Sequence, residues 1–174
     1  MTFRDRALRI WLSGSSCIFE NLALEDHLFR TMDFQNRDGL LIWRNQPSVV
    51  IGRHQNTYAE TNLNYLRAEK ITLARRKSGG GAVYHDLNNV NISLLSSKEN
   101  QDRQGNLQIL ANLLKTSFDL DATVTCRHDI VLSKTGAKIS GTAAKISRNK
   151  AYHHFTLLLD ADKNRMHQAL QPSF

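Results

Sequence analysis

The chain has 174 residues, of which 41% are hydrophobic, enough for one domain with one substantial core and little more. No apolar run approaches the roughly 20 residues of a membrane-spanning helix, so none is predicted and no membrane partner is expected. The formal net charge of +7 predicts an acidic partner, such as nucleic acid, a nucleotide or an acidic protein domain. Because the basic residues form no dense tract interleaved with aromatics, nucleic acid is the least favoured of these.

The cysteines and the basic start bear on the cellular compartment. Cys17 and Cys126 are the only two cysteines and lie far apart without CxxC spacing, so neither a zinc site nor a disulfide framework is predicted. A reducing compartment fits this pattern. The start of the chain carries Arg4, Arg6 and Arg9 against one acid, which weakly resembles the remains of a transit segment.

The first third of the chain predicts a strand, a helix and two further strands. Residues 7–12 alternate weakly, as a strand does, and Ser15 or Ser16 is the expected N-cap of a helix that ends near Met32. The polar run Glu25-Asp26-His27 is assigned to the solvated face of that helix. Two strands, 40–43 and 48–51, are predicted on either side of a turn at residues 44–47.

The rest of the chain continues the alternation, with no repeat and no linker. Further strands are predicted over residues 71–74, 90–94, 122–126, 130–132, 138–143 and 152–159, and further helices over 63–68, 107–118 and 162–170. The pattern indicates one mixed α/β domain over residues 1–174, built on a largely antiparallel sheet with flanking helices.

One glycine-rich stretch is the strongest local signal. Residues 75–86 read RRKSGGGAVYHD, in which two arginines precede three consecutive glycines. Such glycines allow a close approach to the backbone, and successive N–H groups of a turn can bind an anion. The stretch matches neither the Walker pattern nor the GxGxxG fingerprint of dinucleotide sites.

Basic residues mark three predicted strand ends. Arg75 with Arg76, Arg127 and Lys138 would suit a phosphate or carboxylate ligand if the fold brings them together. Small residues follow Lys138 and would let a ligand pass close to the backbone. Cys126 could act as a thioester nucleophile beside the cation of Arg127, although a buried strand cysteine is the more ordinary interpretation.

The two adjacent histidines of a predicted strand argue against a metal site. His153 and His154 should point to opposite faces because side chains alternate along a strand. They cannot easily bind one metal ion together, so no metal site is predicted.

Together these motifs resemble the lipoate–protein ligase A family. The segments that carry the resemblance are PSVVIGRHQN (47–56), RRKSGGGAVYHD (75–86) with Asn89, RHD (127–129), KISGTA (138–143) and HHFT (153–156). The similarity runs from about residue 9 to the end and is greatest to the animal mitochondrial lipoyltransferases within the family.

The resemblance implies a fold and an activity. The fold would be that of biotin/lipoate–protein ligases, which resembles the core of class II aminoacyl-tRNA synthetases. The activity would be transfer of a lipoyl group from lipoyl-AMP, a substrate, to a specific lysine of lipoyl domains in 2-oxoacid dehydrogenases or the glycine-cleavage H protein. No tightly bound cofactor is implied, a monomer is expected, and the location would be the mitochondrion, or the cytoplasm for a bacterial-type ligase.

The resemblance also implies roles for particular residues. Lys138 would be the catalytic residue, contacting the acyl carbonyl and the phosphate, while Tyr84, Arg127 and Thr156 would line the lipoyl-AMP pocket. The other implied substrate-binding residues are those of the glycine-rich stretch: Arg75, Arg76, Gly79, Gly80, Gly81, Ala82, Val83 and His85.

Two departures from the family pattern accompany the resemblance. Asn88 stands where the family has glycine, and asparagine is expected to preserve the turn because it tolerates positive φ. The family's C-terminal part, including an accessory domain, is expected to be missing from this chain.

Four alternatives stay open from the sequence. The chain could be a full ligase that makes the adenylate from ATP and Mg²⁺, or an octanoyl transferase that uses Cys126. It could also be a non-catalytic binder of lipoyl domains or acyl-nucleotides, or a basic nucleic-acid module.

Overall fold

The computed structural model describes residues 6–172, so the outermost parts of the predicted domain, including Arg4 of the basic start, lie outside the described residues. The strands are β1 (Ala7–Leu12), β2 (Arg37–Trp43), β3 (Ser48–Ile51), β4 (Thr72–Arg75), β5 (Val83–His85), β6 (Asn89–Ser97), β7 (Ala122–Val124), β8 (Ile130–Leu132), β9 (Lys138–Ser140), β10 (Thr142–Ile146) and β11 (Lys150–Leu158). The helices are α1 (Ile18–Thr31), α2 (Thr57–Glu60), α3 (Leu63–Ala68), α4 (Arg103–Phe118) and α5 (Lys163–Leu170). Within this range no helix is long and apolar enough to cross a membrane.

The strands form three sheets. The first has the order β1-β2-β6-β11-β10, the second β4-β3-β5, and the third β7-β8-β9. Only β1 with β2 and β3 with β4 pair in parallel, and the other described pairs are antiparallel. The predicted class, mixed α/β with largely antiparallel strands and flanking helices, is therefore confirmed, although the strands form three sheets instead of one.

Apolar layers on both faces hold the first sheet in place. On one face, α1 and the second sheet pack against Leu41, Leu95 and Tyr152. On the other face, α4 and the third sheet pack against the alternate residues of the same strands, including Leu94 and Phe155. Because successive strand residues face opposite sides, β6 and β11 contribute to both layers.

Helix α1 differs from its predicted form at its start and on its inner face. The N-cap is Cys17, not a serine, and its side chain makes no capping bond, whereas Ser15 Oγ accepts from the Cys17 N–H. Glu25, which was assigned to the solvated face, is buried. Its position follows from helical spacing, since Asn21 and Leu28 on the same face are buried as well.

Two predicted strand connections also differ. The turn at residues 44–47 joins strands of different sheets, β2 of the first and β3 of the second. The single strand predicted over residues 138–143 breaks at Gly141, so β9 lies in the third sheet and β10 in the first.

The turn at Asn88 forms as predicted but without a positive φ at that residue. The Asn89 N–H donates to the Asp86 carbonyl, and the Asn88 N–H donates to Asp86 Oδ1. A side-chain turn of this kind offers the backbone a partner, so the turn does not depend on the left-handed conformation.

Candidate active site

A cavity of about 200 Å³ lies between the first and second sheets. It is smaller than the ~300–1,000 Å³ of sites that hold drug-sized ligands, so it suits a slender molecule. Its apolar lining comprises Leu22, Trp43, Val50, Ala82, Val83, Ala143 and Phe155. Its polar lining comprises Arg76, His85, Asn91, Asp129, Lys138, Thr142, His154 and Thr156, with Gly81 and Gly141 between them.

Burial distinguishes an inner from an outer end. Trp43, Val50 and His85 are buried, whereas Lys138 is exposed and Asp129 is only half-buried. The cavity is therefore mainly apolar toward the core and carries a cation at its opening.

Arg76 holds the glycine loop, residues 77–82, against the second sheet. Its Nε donates to Ser78 Oγ at 3.0 Å, its Nη1 to the Val50 carbonyl at 3.0 Å, and its Nη2 to the carbonyls of Gly79 and Gly81.

Burial lowers the Arg76 pKa from its ordinary value, and the charges of Tyr152 and Glu25 partly offset that effect. These acceptors engage most of its N–H groups, so Arg76 shapes the cavity wall through the backbone.

Arg75 performs a similar task one residue earlier and does not line the cavity. Its Nη1 donates to the carbonyls of Gly52 and Gln55, at 2.9 and 2.8 Å. Gly52 must be glycine because a Cβ there would collide with the Gly80 carbonyl. The two arginines thus fasten the Gly52 segment and the glycine loop to each other; a direct contact of either with a ligand stays a prediction.

A buried chain of hydrogen bonds crosses the inner wall. His154 Nδ1 lies 2.9 Å from Glu25 Oε1, and His154 Nε2 lies 3.0 Å from Ser78 Oγ. Glu25 Oε1 also accepts from Ser93 Oγ at 2.6 Å. Helix α1, the first sheet and the glycine loop are therefore joined through His154, which fixes its ring at the cavity wall.

His85 lies deeper, with one ring nitrogen unpartnered among the described residues. The Asn45 side chain donates from Nδ2 to His85 Nδ1 at 2.9 Å, because Asn45 Oδ1 already accepts from Asn21 Nδ2. The proton of the neutral ring then lies on Nε2, which is buried without a protein partner. Burial first, and then the charges of His154 and Arg76, lowers the His85 pKa to about 3. The cavity is thus lined by a neutral His85 ring whose Nε2–H is enclosed by the protein.

Lys138 belongs to a cluster at the opening. Its Nζ lies 2.9 Å from Asp129 Oδ1, and a Cβ on Gly141 would lie about 4 Å from the same ammonium. The Gly141 N–H donates to Thr156 Oγ1, which holds the chain where it leaves β9 for β10. This break redirects the strand and places Lys138 over the cavity opening.

The structure brings only part of the predicted site together. Of the predicted residues, the cavity lining includes Arg76, Gly81, Ala82, Val83, His85, Lys138 and Thr156. Gly79 and Gly80 are exposed in the glycine loop and are not part of the lining. Gly80 has φ +90, and a Cβ there would approach Arg76 Nη2 to 2.9 Å, so packing inside the loop already requires that glycine.

Tyr84 lies outside the cavity lining, and its contact with lipoyl-AMP stays a prediction. Its neighbours Val83 and His85 face the cavity, so strand alternation turns Tyr84 to the other side of β5. There it is buried in a second core cluster with Leu66 and Ala169. Burial chiefly raises its pKa, and its hydroxyl has no partner among the described residues.

Arg127 and Cys126 beside it do not line the cavity either, and a contact of Arg127 with lipoyl-AMP stays a prediction. Both are exposed in the turn between β7 and β8, where the Asp129 N–H donates to Thr125 Oγ1. That turn presents Asp129 to Lys138 while its first residues project elsewhere. Neither of the chain's two cysteines is in the cavity lining, so the geometry gives no support to a cysteine nucleophile.

The adjacent histidines face opposite sides, as predicted. His154 lines the cavity, whereas His153 lies on the α4 side with Nδ1 3.4 Å from the Asn106 side chain. Burial, together with Arg103 and neighbouring histidines, lowers the His153 pKa to about 3.

Sequence reasoning missed several residues of the cavity lining, including Trp43, Asn91 and Asp129, and also the buried Glu25 that contacts the lining residue His154. Helical spacing from Ile18 would have identified Glu25 as buried. Asn91 alternates with apolar residues on β6, a pattern that predicts a half-buried strand but no contact with a cavity. The pairing of Asp129 with Lys138 has no local signal, since it depends on the third sheet.

Comparisons with known proteins identify the family of the chain. Residues 17–173 match the model of the lipoyl protein ligase A/B catalytic domain. The chain is 44% identical over 163 residues to the mitochondrial lipoyl amidotransferase LIPT1 of Mus musculus, covering 93% of this chain and 43% of that protein. It is 41% identical over 168 residues to a lipoate-protein ligase A of Bdellovibrio bacteriovorus, covering 95% of this chain and 49% of that one. The chain thus spans less than half the length of these relatives.

Two solved structures share the fold. A LipL1 of P. falciparum, crystallised in complex with lipoate, superposes with a TM-score of 0.87 at 33% identity, over 97% of this chain and 52% of that one. A bipartite lipoate protein ligase of Thermoplasma acidophilum comes from a structural study that included its E2 lipoyl domain. It superposes with a TM-score of 0.79 at 26% identity, over 96% of this chain and 66% of that one. The predicted kinship with biotin ligases and synthetase cores stays a prediction. The family match and these identities together place the chain in the lipoyl protein ligase A/B catalytic domain family.

Proposed function

We propose that the chain transfers a lipoyl group from lipoyl-AMP to a lysine of an acceptor lipoyl domain. One observation carries the proposal: a small cavity, with more apolar than polar surface on its walls, opens beside Lys138. The apolar lining suits the hydrocarbon chain and dithiolane ring. The polar cluster at the opening suits the acyl carbonyl and the phosphate of the mixed anhydride.

The reaction needs no covalent enzyme intermediate. The neutral ε-amine of the acceptor lysine attacks the acyl carbon, the C–O bond to phosphate breaks, and AMP leaves with the bonding electrons. The amine nitrogen loses one proton to solvent or to the phosphate group of the departing AMP. The enzyme then has to position the amine and stabilise the charge on the carbonyl oxygen.

Lys138 is the candidate for that stabilisation. Asp129 at 2.9 Å engages one of its three N–H groups and leaves two for the carbonyl and phosphate oxygens. Because Asp129 holds the ammonium at the opening, little reorganisation is needed when the oxyanion develops.

The inner wall would bind the acyl chain. The apolar side chains around the neutral His85 ring form an apolar slot, which fits the hydrocarbon chain and the dithiolane ring. The lipoate complex of the P. falciparum relative supports lipoate as the acyl group.

The partners and the location are part of the proposal. The acceptors would be apo lipoyl domains of 2-oxoacid dehydrogenases and the glycine-cleavage H protein, as the T. acidophilum ligase with its E2 lipoyl domain suggests. The mitochondrial relatives support a mitochondrial location, whereas a bacterial-type ligase would be cytoplasmic. The protein would act as a monomer without a tightly bound cofactor.

The test offers the chain two donors in parallel. With preformed lipoyl-AMP and an apo lipoyl domain, we expect the intact mass of the acceptor to rise by one lipoyl group at a single lysine. An acceptor that stays unmodified while it binds would favour a non-catalytic lipoyl-domain binder and contradict the proposal.

The second donor mixture separates transfer from activation. The similarity to a bacterial lipoate-protein ligase favours a second candidate, in which the chain also makes the adenylate from lipoate, ATP and Mg²⁺. Release of pyrophosphate with lipoate and ATP would support that candidate. Transfer from lipoyl-AMP without pyrophosphate release from ATP would support the transferase alone.

A further inference from the structure

A strongly basic hollow of about 300 Å³ lies outside the candidate cavity. We use "basic hollow" for the space lined by Arg30, Arg53, Arg75, Arg76, Lys77 and Lys145. Its lining residues come from α1, the segment after β3, the end of β4, the start of the glycine loop and β10. Every lining residue is cationic, which is costly unless an anion compensates the charge.

A single carboxylate compensates part of that charge. Asp26 lies 2.7 Å from Arg30, 3.3 Å from Lys145 and 3.5 Å from Lys77. Burial alone would raise the Asp26 pKa, but the bond to Lys145 and the charges of Lys77 and Arg30 lower it from its ordinary value. Within residues 6–172, Asp26 is the one carboxylate that pairs with any of the six cations, so the hollow retains a large positive excess.

The basic hollow adjoins the candidate cavity. Arg76 lines both spaces, and Lys77 directly precedes Ser78, which contacts the cavity residue His154. Lys145 follows the lining residues Thr142 and Ala143 along β10. A molecule seated over the hollow would therefore lie beside the cavity.

The hollow is not built as a phosphate cradle. The N–H groups of Arg75 and Arg76 donate to backbone carbonyls, and Lys145 is drawn to Asp26 and to the Phe29 ring, 4.7 Å away. The exposed cations instead lie at the rim on separate elements, with the side chains of Arg30 and Lys77 62% and 56% exposed. A dispersed rim of exposed charge suits an extended acidic surface better than one compact anion.

We propose that the basic hollow docks a carboxylate-rich surface of the acceptor protein next to its target lysine. This inference rests on the proposed function for the nature of the acceptor. An isolated lysine would be repelled by Lys138 and by the hollow, since both are cationic. When the lysine lies on an acidic domain, the carboxylates around it are attracted to the cations of the hollow. The positive potential of the hollow therefore favours acceptor lysines that are surrounded by carboxylates.

The test compares two double variants with equal changes of charge. Arg53→Gln/Lys77→Gln removes two exposed cations of the hollow, and Arg67→Gln/Lys163→Gln removes two exposed cations on α3 and α5, behind the second sheet. The probe is an apo lipoyl domain with carboxylates beside its lysine, labelled for fluorescence anisotropy and titrated with the 174-residue chain. A second probe has those carboxylates changed to amides.

The hollow variant should bind the acidic probe about tenfold more weakly at low salt, because exposed charges act at long range and additively there. The difference should shrink at high salt and for the amide probe, and the control variant should bind like the wild type. Equal affinities of both variants for the acidic probe would overturn the inference. So would a hollow variant that loses affinity for lipoyl-AMP and not for the acceptor, since that result would assign the hollow to a nucleotide phosphate.

The binding measurement keeps this inference separate from the proposed function. Salt-sensitive docking that is lost in the hollow variant would support the inference even if the chain transfers no lipoyl group. Transfer by the wild type with no change in acceptor KM in the hollow variant would overturn the inference and leave the proposed function standing.

Discussion

Two cations flank the candidate cavity and differ in nearly every physical respect. Arg76 is 5% exposed and donates to three backbone carbonyls and a serine hydroxyl. The Lys138 side chain is 55% exposed and has one ion-pair partner, Asp129, among the described residues. The first cation has acceptors for most of its N–H groups, and the second lies at an opening.

The difference distinguishes a residue that maintains the structure of the site from a residue that can contact a substrate. The Arg76 side forms a fixed wall whose groups already have partners, so its contribution to function should act through stability and shape. The Lys138 side keeps unengaged donors at the point where charge would develop. We therefore expect substitutions on the two sides to affect different measurements.

The largest expected effect is on the Lys138 side. Lys138→Ala should lower lipoyl transfer from lipoyl-AMP by about 10²–10³-fold, equivalent to about 3–4 kcal/mol, by analogy with loss of an oxyanion-hole donor. The melting temperature should barely change because the side chain is exposed. Single-turnover transfer and thermal unfolding measure the two quantities.

Lys134→Ala, an exposed lysine in the turn between β8 and β9, is the matched control and should transfer normally. Near-normal transfer by a folded Lys138→Ala chain would remove the lysine from the mechanism and erase the contrast with Arg76.

Arg76→Met should show the opposite pattern and lower the free energy of unfolding by about 3 kcal/mol, because it leaves the carbonyls of Val50, Gly79 and Gly81 without their donor. Urea unfolding followed by circular dichroism measures this loss. Arg67→Met, at an exposed position of α3, should leave the unfolding free energy within about 0.5 kcal/mol of the wild type. A fully stable Arg76→Met chain that has lost only transfer would assign Arg76 to the ligand instead.

Two glycines of the loop, Gly79 and Gly81, can test whether the loop forms the cavity wall along which the acyl chain would lie. A Cβ at Gly81 or at Gly79 meets no atom within 4 Å, but only Gly81 lines the cavity. Gly81→Val should therefore fold normally and raise the KM for lipoyl-AMP about tenfold by occupying space that the acyl chain needs. Gly79→Val is the control and should have a KM close to that of the wild type. Equal effects at both positions would mean that the acyl chain of lipoyl-AMP does not lie along the glycine loop.

The smallest expected effect concerns Cys126. Cys126→Ser should leave transfer from lipoyl-AMP within about twofold of the wild type, because surface substitutions away from a site change little and the thiol lies outside the cavity. Loss of all activity would instead indicate a covalent route, in which the Cys126 thiol carries the acyl group as a thioester.

The sequence was sufficient where the signal was local. Most strands and helices follow their hydrophobic periods, and the alternation along β11 correctly placed His153 and His154 on opposite faces. Lys138, Thr156 and His85 were identified through motif resemblance, and all three line the cavity. Their roles toward a ligand stay predictions.

The sequence was insufficient where long-range pairing decides. The break at Gly141 sends β9 into a different sheet, and that pairing brings Asp129 to Lys138. The motif resemblance did not indicate that strand alternation turns the Tyr84 side chain away from the cavity, into the second core cluster. From the sequence, the charges of Arg75 and Arg76 would suit an anionic ligand. Only their hydrogen bonds to backbone carbonyls in the structure show that both side chains hold the backbone.

The most direct test of the central claim is a crystal structure with a non-hydrolysable lipoyl-AMP analogue. We predict that the acyl chain lies along Gly81 and Val83 toward His85, with Lys138 Nζ about 3 Å from the carbonyl or a phosphate oxygen. An acyl chain bound outside this cavity, or a Lys138 that still contacts only Asp129 in the complex, would contradict the account.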